Sequence, residues 1–359
     1  MTERRVPSSE RPPDESRELR GAKQEVRVAT TATMTYRQAL HDTLREELLR
    51  DDDVFLMGEE IGRFEGSYKV TAGLWEKYGA NRVRETPISE EGFVGAGIGA
   101  AMMGLRPVVE IMTINFILVA MDQVVNHAAK IRYMFGGTVG VPLVIRTPGG
   151  AGAQLTAQHS QSLEGWFAGC PGLKVVAPSN PADAYGMLKT AIRDDDPVLF
   201  CENLVLYNVT GSVPENGDST VPLGLAAIAQ EGDDLTIVAH SYTVQRALRV
   251  ADRLGQDGIS VEVVDLRSLR PLDVDTVVAS VRKTNRVLVA EEGWSTFGVG
   301  AELASRIQRA CFDDLDAPVE RVGAAEVPMP YSKPLELAAL PLESKIEAAA
   351  RSLLRECGL

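Results

Sequence analysis

Apolar residues recur along this chain with two spacings, one typical of helices and one of strands. In residues 35–50 they return every three or four positions, which predicts an amphipathic helix. The continuous apolar run at 54–57 predicts a short buried strand. Further strands are predicted at 106–112, 141–146, 174–177, 198–200, 235–239, 261–264 and 287–290, and further helices at 122–135, 181–193, 243–254, 272–281, 298–309 and 344–354. This alternation predicts an α/β protein whose parallel sheets are covered on both faces.

One internal segment interrupts the alternation. Residues 207–222 are rich in Gly, Pro, Asn and Ser and have no apolar period, and the pattern restarts after them. We therefore expect two α/β domains, a first at 31–210 and a smaller one at 223–359. Residues 1–30 are rich in Arg, Glu, Pro and Ser, and this composition predicts a disordered extension.

The composition of the chain limits which binding partners and which cellular compartment we expect for it. The formal net charge of −13 argues against nucleic acid or an anionic membrane surface as a partner. The longest apolar candidate, residues 108–125, is interrupted by Glu110, Asn115 and Asp122, so no membrane span is expected. The four cysteines are far apart, without metal-binding spacing, as in proteins of a reduced cytosol. The extension contains acidic residues and no apolar segment, so we expect a bacterial cytoplasmic protein.

The most unusual stretch is at residues 86–104, where a predicted helix is built almost entirely of small residues. Ser89 is a plausible N-cap, and Glu90 and Glu91 follow in the first turn. Four glycines come next at 92, 95, 97 and 99, each costing roughly 1 kcal/mol relative to alanine in an exposed helix interior. We expect a short buried helix at a chain or cofactor interface, with a carboxylate at its mouth. The ordinary alternative is that the two acidic residues only favour the helix dipole.

Three polar residues are predicted at a strand end, a helix start and a loop, where α/β folds often place their functional groups. Glu59 follows a predicted strand, Glu90 begins the small-residue helix, and His159 lies on a glycine-rich loop. A carboxylate beside small residues is desolvated, which raises its pKa and lets it hold a proton near neutral pH. A histidine can transfer a proton or stabilise an anion, although a loop histidine is also common as a surface or capping group. The three residues do not name a reaction.

Motifs in a fixed order carry a resemblance to a known family. From about residue 33 to its end, the chain resembles the β subunits of thiamine-diphosphate-dependent 2-oxo acid dehydrogenases, most closely those of pyruvate dehydrogenase (acetyl-transferring). The matching stretches include FLMGEE at 55–60, GLWEKYG at 73–79, TPISE at 86–90, AQHSQ at 157–161, CPGLKVV at 170–176, LRSLRPLD at 266–273 and VPMPY at 327–331. The resemblance implies a transketolase-like pyrimidine-binding domain followed by a transketolase C-terminal-like domain.

The resemblance also implies roles for individual residues. Glu90 would bond the ring nitrogen of the cofactor's aminopyrimidine, with Phe116 packed on that ring and Ile88 lining the same pocket. Glu59 would be an acidic group near the cofactor that helps to relay protons. His159 would act after decarboxylation, when the acyl group meets the lipoyl arm.

A potassium site is implied as well, held largely by backbone carbonyls. Its matching positions are Leu143, Ala191, Ile192, Asp194 and Asp196. Oxygen ligands suit such a hard cation. One position departs from the family: Val119 stands where relatives that act on pyruvate often have Gln. Contacts near the pyrimidine, and the choice of substrate, are therefore open.

A missing motif points to a partner chain. Enzymes of this kind hold diphosphate and magnesium with a Gly-Asp-Gly motif, and none occurs in this sequence. We therefore expect an α subunit to supply magnesium and that half of the site, in an α2β2 heterotetramer. The expected reaction is oxidative decarboxylation of pyruvate with acetyl transfer to the lipoyl domain of a dihydrolipoyl acyltransferase core. Alternatives are a β subunit for branched-chain 2-oxo acids or acetoin, and a non-catalytic docking subunit.

Overall fold

The computed structural model describes residues 31–215 and 218–358, so the extension predicted at 1–30 lies outside the described residues. The first part contains β1 (Thr31–Thr35), α1 (Tyr36–Arg50), β2 (Val54–Glu59), α2 (Leu74–Tyr78), β3 (Val83–Thr86), α3 (Glu90–Met102), β4 (Arg106–Glu110), a 3-10 helix (Ile114–Leu118), a π-helix (Gln123–Ala128), α4 (Ala129–Met134), β5 (Val144–Gly149), α5 (Glu164–Ala168), β6 (Lys174–Val176), α6 (Pro181–Arg193), β7 (Val198–Asn203), a second 3-10 helix (Leu204–Asn208) and β8 (Thr210–Pro214). The second part contains β9 (Ala227–Gln230), β10 (Leu235–Ala239), α7 (Tyr242–Gln256), β11 (Val261–Asp265), β12 (Ser268–Arg270), α8 (Val274–Thr284), β13 (Val287–Trp294), α9 (Val299–Ala310), β14 (Glu320–Ala324), α10 (Lys333–Ala339) and α11 (Glu343–Glu356).

Two open sheets organise these elements, which confirms the predicted α/β class. The larger sheet has the order β12-β6-β7-β5-β4-β2-β3, and all its neighbours run parallel except β12, which is antiparallel to β6. The smaller sheet has the order β14-β13-β10-β11-β9, with only β9 antiparallel. We refer to the parts built on them as the N-terminal and C-terminal domains. The domain limits predicted at 210 and 223 stay predictions.

The segment 207–222 is more ordered than its composition indicates. It contains β8, which pairs antiparallel with β1 as a two-stranded ribbon. Of the five residues of β8, only Val213 is buried. A ribbon with so little burial needs no apolar alternation, which is why the sequence pattern did not reveal it.

Two more predicted elements differ from the structure. The helix predicted at 122–135 is a π-helix followed by the short α4. The strand predicted at 141–146 begins only at Val144; before it, the N–H of Val141 donates to the carbonyl of Asp195 at 3.2 Å, outside the sheet. That strand also runs on to Gly149, so it leads directly into the glycine-rich loop.

Capping signals set several helix boundaries correctly. The Thr35 side chain and Gln38 form a capping box at the start of α1. The side chain of Asn180 accepts the N–H of Asp183 and is followed by Pro181 at the first helical position, so α6 begins where the sequence predicts. Helices α1 and α6 pack together on one face of the large sheet, and α3 covers β4 from the other.

Helix α3 packs closely against β4, near the edge of the sheet at which the parallel strands end. A Cβ atom added at Gly97 would lie 2.8 Å from Cγ2 of Val109, so only glycine lets α3 approach β4 this closely. Strands β2, β4 and β5 are neighbours, and their carboxyl ends share one edge. No helix in the described part of the chain is long and apolar enough to cross a bilayer.

The two domains are joined in two ways. Strand β12, from the second part of the chain, pairs with β6 in the large sheet, and polar side chains also connect the domains. Arg267 forms an ion pair of 2.7 Å with Asp183, and Ser179 Oγ donates to Asp265 Oδ2 at 2.5 Å. Burial raises the pKa of Asp265 to about 6, and the nearby charge of Asp183 adds to this. The domains therefore meet through buried polar groups, which hold their orientation.

Candidate active site

Two buried carboxyl groups meet at the edge where β2 and α3 come together. Glu59 is the last residue of β2 and 4% exposed, and Glu90 is the first residue of α3 and 5% exposed. Burial raises the pKa of Glu59 to about 7, helped by the negative charge of Glu90 and by a hydrogen bond between the two side chains. Two carboxyl groups share a hydrogen bond only when one of them carries a proton. The pair is thus able to retain a proton near neutral pH.

Unpaired oxygen atoms next to this pair indicate room for a polar ligand. Within the described residues, Glu59 Oε1 and Thr86 Oγ1 are buried without a hydrogen-bond partner. Glu59 and Thr86 are register partners on the adjacent strands β2 and β3, so both oxygens belong to one end of the sheet. Buried polar atoms are nearly always satisfied in complete proteins. A ligand with hydrogen-bonding ring atoms, such as an aminopyrimidine, fits this set.

An aromatic pair lies at the same edge. Phe116, in the 3-10 helix after β4, is half-buried, and His159 of the glycine-rich loop meets it edge-on with ring centroids 5.3 Å apart. The amide of Asn115 donates to Gln161 Oε1 at 2.6 Å, which ties the 3-10 helix to the loop. The structure therefore brings Phe116 and His159 together, and the roles that the resemblance implies for them stay predictions.

Ile88 is placed differently from the other predicted cofactor residues. It is 82% exposed on the connection between β3 and α3. Val119, the position that departs from the family, is 57% exposed. Both side chains therefore face away from the core of this chain and are free to contact a neighbouring molecule.

The glycine-rich loop is anchored by the C-terminal domain. Its Ala151 N–H donates to Glu292 Oε1 at 2.8 Å. The N–H groups of Gly152 and Gln154 both donate to Glu336 Oε1 at 3.0 Å. Neither glutamate was singled out from the sequence. Glu292 follows a buried strand run, the signal that identified Glu59, whereas Glu336 has no local signal because it stands in an ordinary short helix.

The five predicted potassium positions lie near one another at the end of α6. Leu143 accepts the N–H of Val198 at 2.9 Å, and Ala191 accepts that of Asp194 at 3.3 Å. Arg106 Nη1 donates to the carbonyls of Ile192, at 3.2 Å, and Asp194, at 3.0 Å.

Positive charge is already present at this cluster. Lys174 lies 2.7 Å from the Asp194 carboxylate and 3.2 Å from that of Asp196. A carbonyl oxygen has two lone pairs and can take a second partner. The described residues contain no group of three or more His, Cys, Asp or Glu side chains arranged to hold a metal ion.

Family models match both domains. The model of the transketolase pyrimidine binding domain matches residues 32–209, and that of the transketolase C-terminal domain matches residues 224–346. Among solved structures, a split gene transketolase described as an inactive beta4 tetramer superposes with a TM-score of 0.72 at 22% identity, covering 90% of this chain and 98% of that one. The fold and the two family matches thus define a transketolase-type protein of a thiamine-diphosphate-dependent class.

Curated relatives place the chain within this class. It is 50% identical over 325 residues to the mitochondrial pyruvate dehydrogenase E1 component subunit beta of Drosophila melanogaster, with 89% of each chain covered. It is 48% identical to the corresponding subunit of Rhizobium meliloti, covering 90% of this chain and 70% of the relative. For Rickettsia bellii the identity is 49%, with 89% and 98% covered. The chain belongs to the family of pyruvate dehydrogenase E1 component beta subunits.

Proposed function

We propose that this chain is the catalytic β subunit of a pyruvate dehydrogenase component and is active only with an α subunit, in an α2β2 heterotetramer. The reaction is oxidative decarboxylation of pyruvate, followed by acetyl transfer to lipoyl groups of a dihydrolipoyl acyltransferase core. The observation that carries the proposal is the buried pair of Glu59 and Glu90, because a docking subunit has no need for two desolvated carboxyl groups at a strand end. The cytoplasm of a bacterium is the proposed location.

Thiamine diphosphate fits the unpaired oxygens and would supply a carbanion equivalent for decarboxylation. The pKa of Glu59 is raised to about 7, so the hydrogen-bonded pair of Glu59 and Glu90 shares a proton near neutral pH. Glu90 would face a ring nitrogen of the cofactor and pass this shared proton to it. Phe116 offers an aromatic wall, and His159 beside it donates or accepts a proton when the acyl group leaves.

Two features support the α subunit. The sequence has no Gly-Asp-Gly, so the diphosphate and magnesium ligands are assigned to another chain. Large apolar side chains are also exposed on the N-terminal domain, a composition typical of a protein interface. They are Ile88, Met103, Val119, Tyr133 and Met134, each between 57% and 88% exposed.

Substrate choice is tested with the reconstituted α and β chains. Pyruvate, 2-oxoisovalerate and acetoin are compared by kcat/KM, and we expect pyruvate to be preferred. A preference for either alternative substrate would assign the chain to the branched-chain or acetoin enzymes. Thiamine diphosphate binding is measured in parallel on β alone and on the αβ complex. Tight binding only by the complex supports the shared site. An unchanged kcat of the complex in Glu90→Gln would favour the docking role.

A potassium ion at the end of α6 remains a proposal. It is supported by the family resemblance and by the grouping of Leu143, Ala191, Ile192, Asp194 and Asp196, and weakened by the two cationic side chains already there. The thermal midpoint of the complex in potassium, sodium and choline chloride at equal ionic strength tests it. A rise specific to potassium is expected.

A further inference from the structure

The loop that carries His159 is held mainly by the other domain. Ala151 N–H donates to Glu292, while Gly152 and Gln154 N–H both donate to Glu336. Glu292 comes from the end of β13, and Glu336 from α10. Both glutamates are buried, at 6% and 1% exposed. Hydrogen bonds from backbone N–H groups to a buried carboxylate are among the stronger ones in proteins.

The loop needs such support because its backbone is strained. Gln154 has a φ angle of 56° and Thr156 one of 63°. Both angles lie in the left-handed region, which is unfavourable for residues other than glycine. Strained backbone of this kind persists only where the surroundings determine it. The Glu336 carboxylate, bonded to the N–H of Gln154 itself, supplies such a constraint.

Packing adds to the anchoring. Ala151 belongs to a small apolar cluster with Met329, Ala339 and Leu340, all from the C-terminal domain. Burial also removes water from the Glu292 carboxylate, which raises its pKa.

A small cavity lies between the loop and β13. Ser160, next to His159, and Glu292 both line this space of about 20 Å³, and Ser160 Oγ and Glu292 Oε2 are buried without partners among the described residues. A volume of this size admits about one water molecule, which could bridge the two groups.

We propose that Glu336 and Glu292 are positioning residues for acyl transfer: they hold residues 150–160 in the conformation that places His159 against Phe116. The C-terminal domain thereby controls a step carried out by the N-terminal domain. This inference rests on the proposed role of His159. It adds to that role two residues that touch neither the aromatic pair nor the carboxyl pair in the contacts described above.

The first test measures the loop directly by amide hydrogen exchange in the reconstituted αβ complex. Gly152 and Gln154 are exposed residues, so protection of their amides reports the hydrogen bonds to Glu336. In Glu336→Ala we expect their exchange to accelerate about 10- to 100-fold, as for loss of a hydrogen bond to a charged group. In Glu336→Gln the amide oxygen can still accept, so most of the protection should return.

Glu326→Ala is the matched control. Glu326 lies in the same domain and accepts one backbone N–H, that of Thr296 at 3.0 Å, but does not contact the loop. Its removal should leave exchange at 150–160 unchanged. Thermal midpoints of all three variants show whether any of them has lost its fold, and Glu336→Gln is expected to match the wild type.

The second test separates the catalytic steps. Decarboxylation is followed with an artificial electron acceptor, and reductive acetylation with a lipoyl domain. Glu336→Ala should slow reductive acetylation about tenfold or more, as for a misplaced acid-base group, and decarboxylation much less.

Each other outcome has a distinct meaning. Unchanged amide exchange in Glu336→Ala overturns the anchoring, and faster exchange with unchanged reductive acetylation overturns the positioning role. Faster exchange with equal losses in both steps leaves the anchoring in place and refutes the assignment of His159 to acyl transfer.

Discussion

At the scale of single residues, Glu90 is the side chain on which the proposed activity most depends. It is buried at the first position of α3, beside Glu59. Glu90→Gln keeps the shape and a hydrogen bond but cannot transfer a proton. We expect kcat to fall by about 10²- to 10⁴-fold, the usual contribution of an acid-base group, and thiamine diphosphate affinity to fall much less. Deuterium exchange at the thiazolium carbon of the cofactor measures the step directly.

Glu91→Gln is the control for this substitution. Glu91 is exposed in the same helical turn, so its replacement should be nearly silent. If the exchange rate survives in Glu90→Gln and is lost in Glu91→Gln, the wrong carboxylate of the two has been chosen.

Glu59 gives a prediction about pH and stability. Its pKa is raised from 4.5 to about 7, so between these values the folded chain binds more protons than the unfolded chain. The stability that Glu59 contributes is therefore fully present below its unfolded-state pKa of 4.5, and it is lost as the pH rises through its folded-state pKa of about 7.

In Glu59→Gln the side-chain amide is neutral at every pH, so this variant does not lose stability as the pH rises through about 7. After allowance for screening by solvent, we expect the variant to be more stable than wild type by about 1 to 2 kcal/mol near pH 8, and equal to it near pH 4. Unfolding of the cofactor-free complex at the two pH values measures the difference. A constant difference at both pH values would show that folding does not shift the pKa of Glu59.

At the scale of elements, the glycine-rich loop and the 3-10 helix form one functional unit through His159 and Phe116. In His159→Ala we expect reductive acetylation of a lipoyl domain to fall about 10²-fold or more and decarboxylation to fall less, because His159 acts after carbon dioxide has left. His127→Ala is the control, since His127, on the π-helix, is exposed and its ring lies 3.2 Å from the carboxylate of Asp122. Equal losses in both steps would assign His159 to an earlier step.

At the scale of the whole molecule, the small-residue face of α3 is available for a partner. A Cβ added at Gly99 would meet no atom of the described residues within 4 Å outside its own stretch of helix, whereas Gly95 already faces Gln123 and Gly97 faces Val109. Gly99→Leu should therefore leave the fold intact, and even favour the helix, while preventing another helix from packing there. We expect the tetramer to dissociate, as measured by analytical ultracentrifugation.

The matched control for this substitution is Gly255→Leu. Gly255 is also an exposed glycine in a helix, α7, and a Cβ added there would likewise meet no atom of the described residues within 4 Å outside its own stretch of helix. It should leave the assembly unchanged. An intact, equally stable tetramer in Gly99→Leu would exclude this face of α3 from the interface.

The sequence by itself determined the class of fold and singled out side chains, Glu59 and Glu90 among them, that the structure brings together. Helical and strand periods are local properties, so the α/β alternation and the limits of α6 could be read from them. The cap residue, the acidic first turn and the glycines likewise placed Glu90 at the mouth of α3. The missing Gly-Asp-Gly is a property of the sequence alone.

Only the tertiary structure decided which distant groups meet. The raised pKa belongs to Glu59 because β2 and α3 converge, a contact 31 residues apart in sequence that no local pattern encodes. The hydrogen bonds from Gly152 and Gln154 to Glu336 span 184 and 182 positions and depend on how the two domains pack. The ribbon of β1 and β8 escaped detection because an exposed pair of strands has no buried face to mark it.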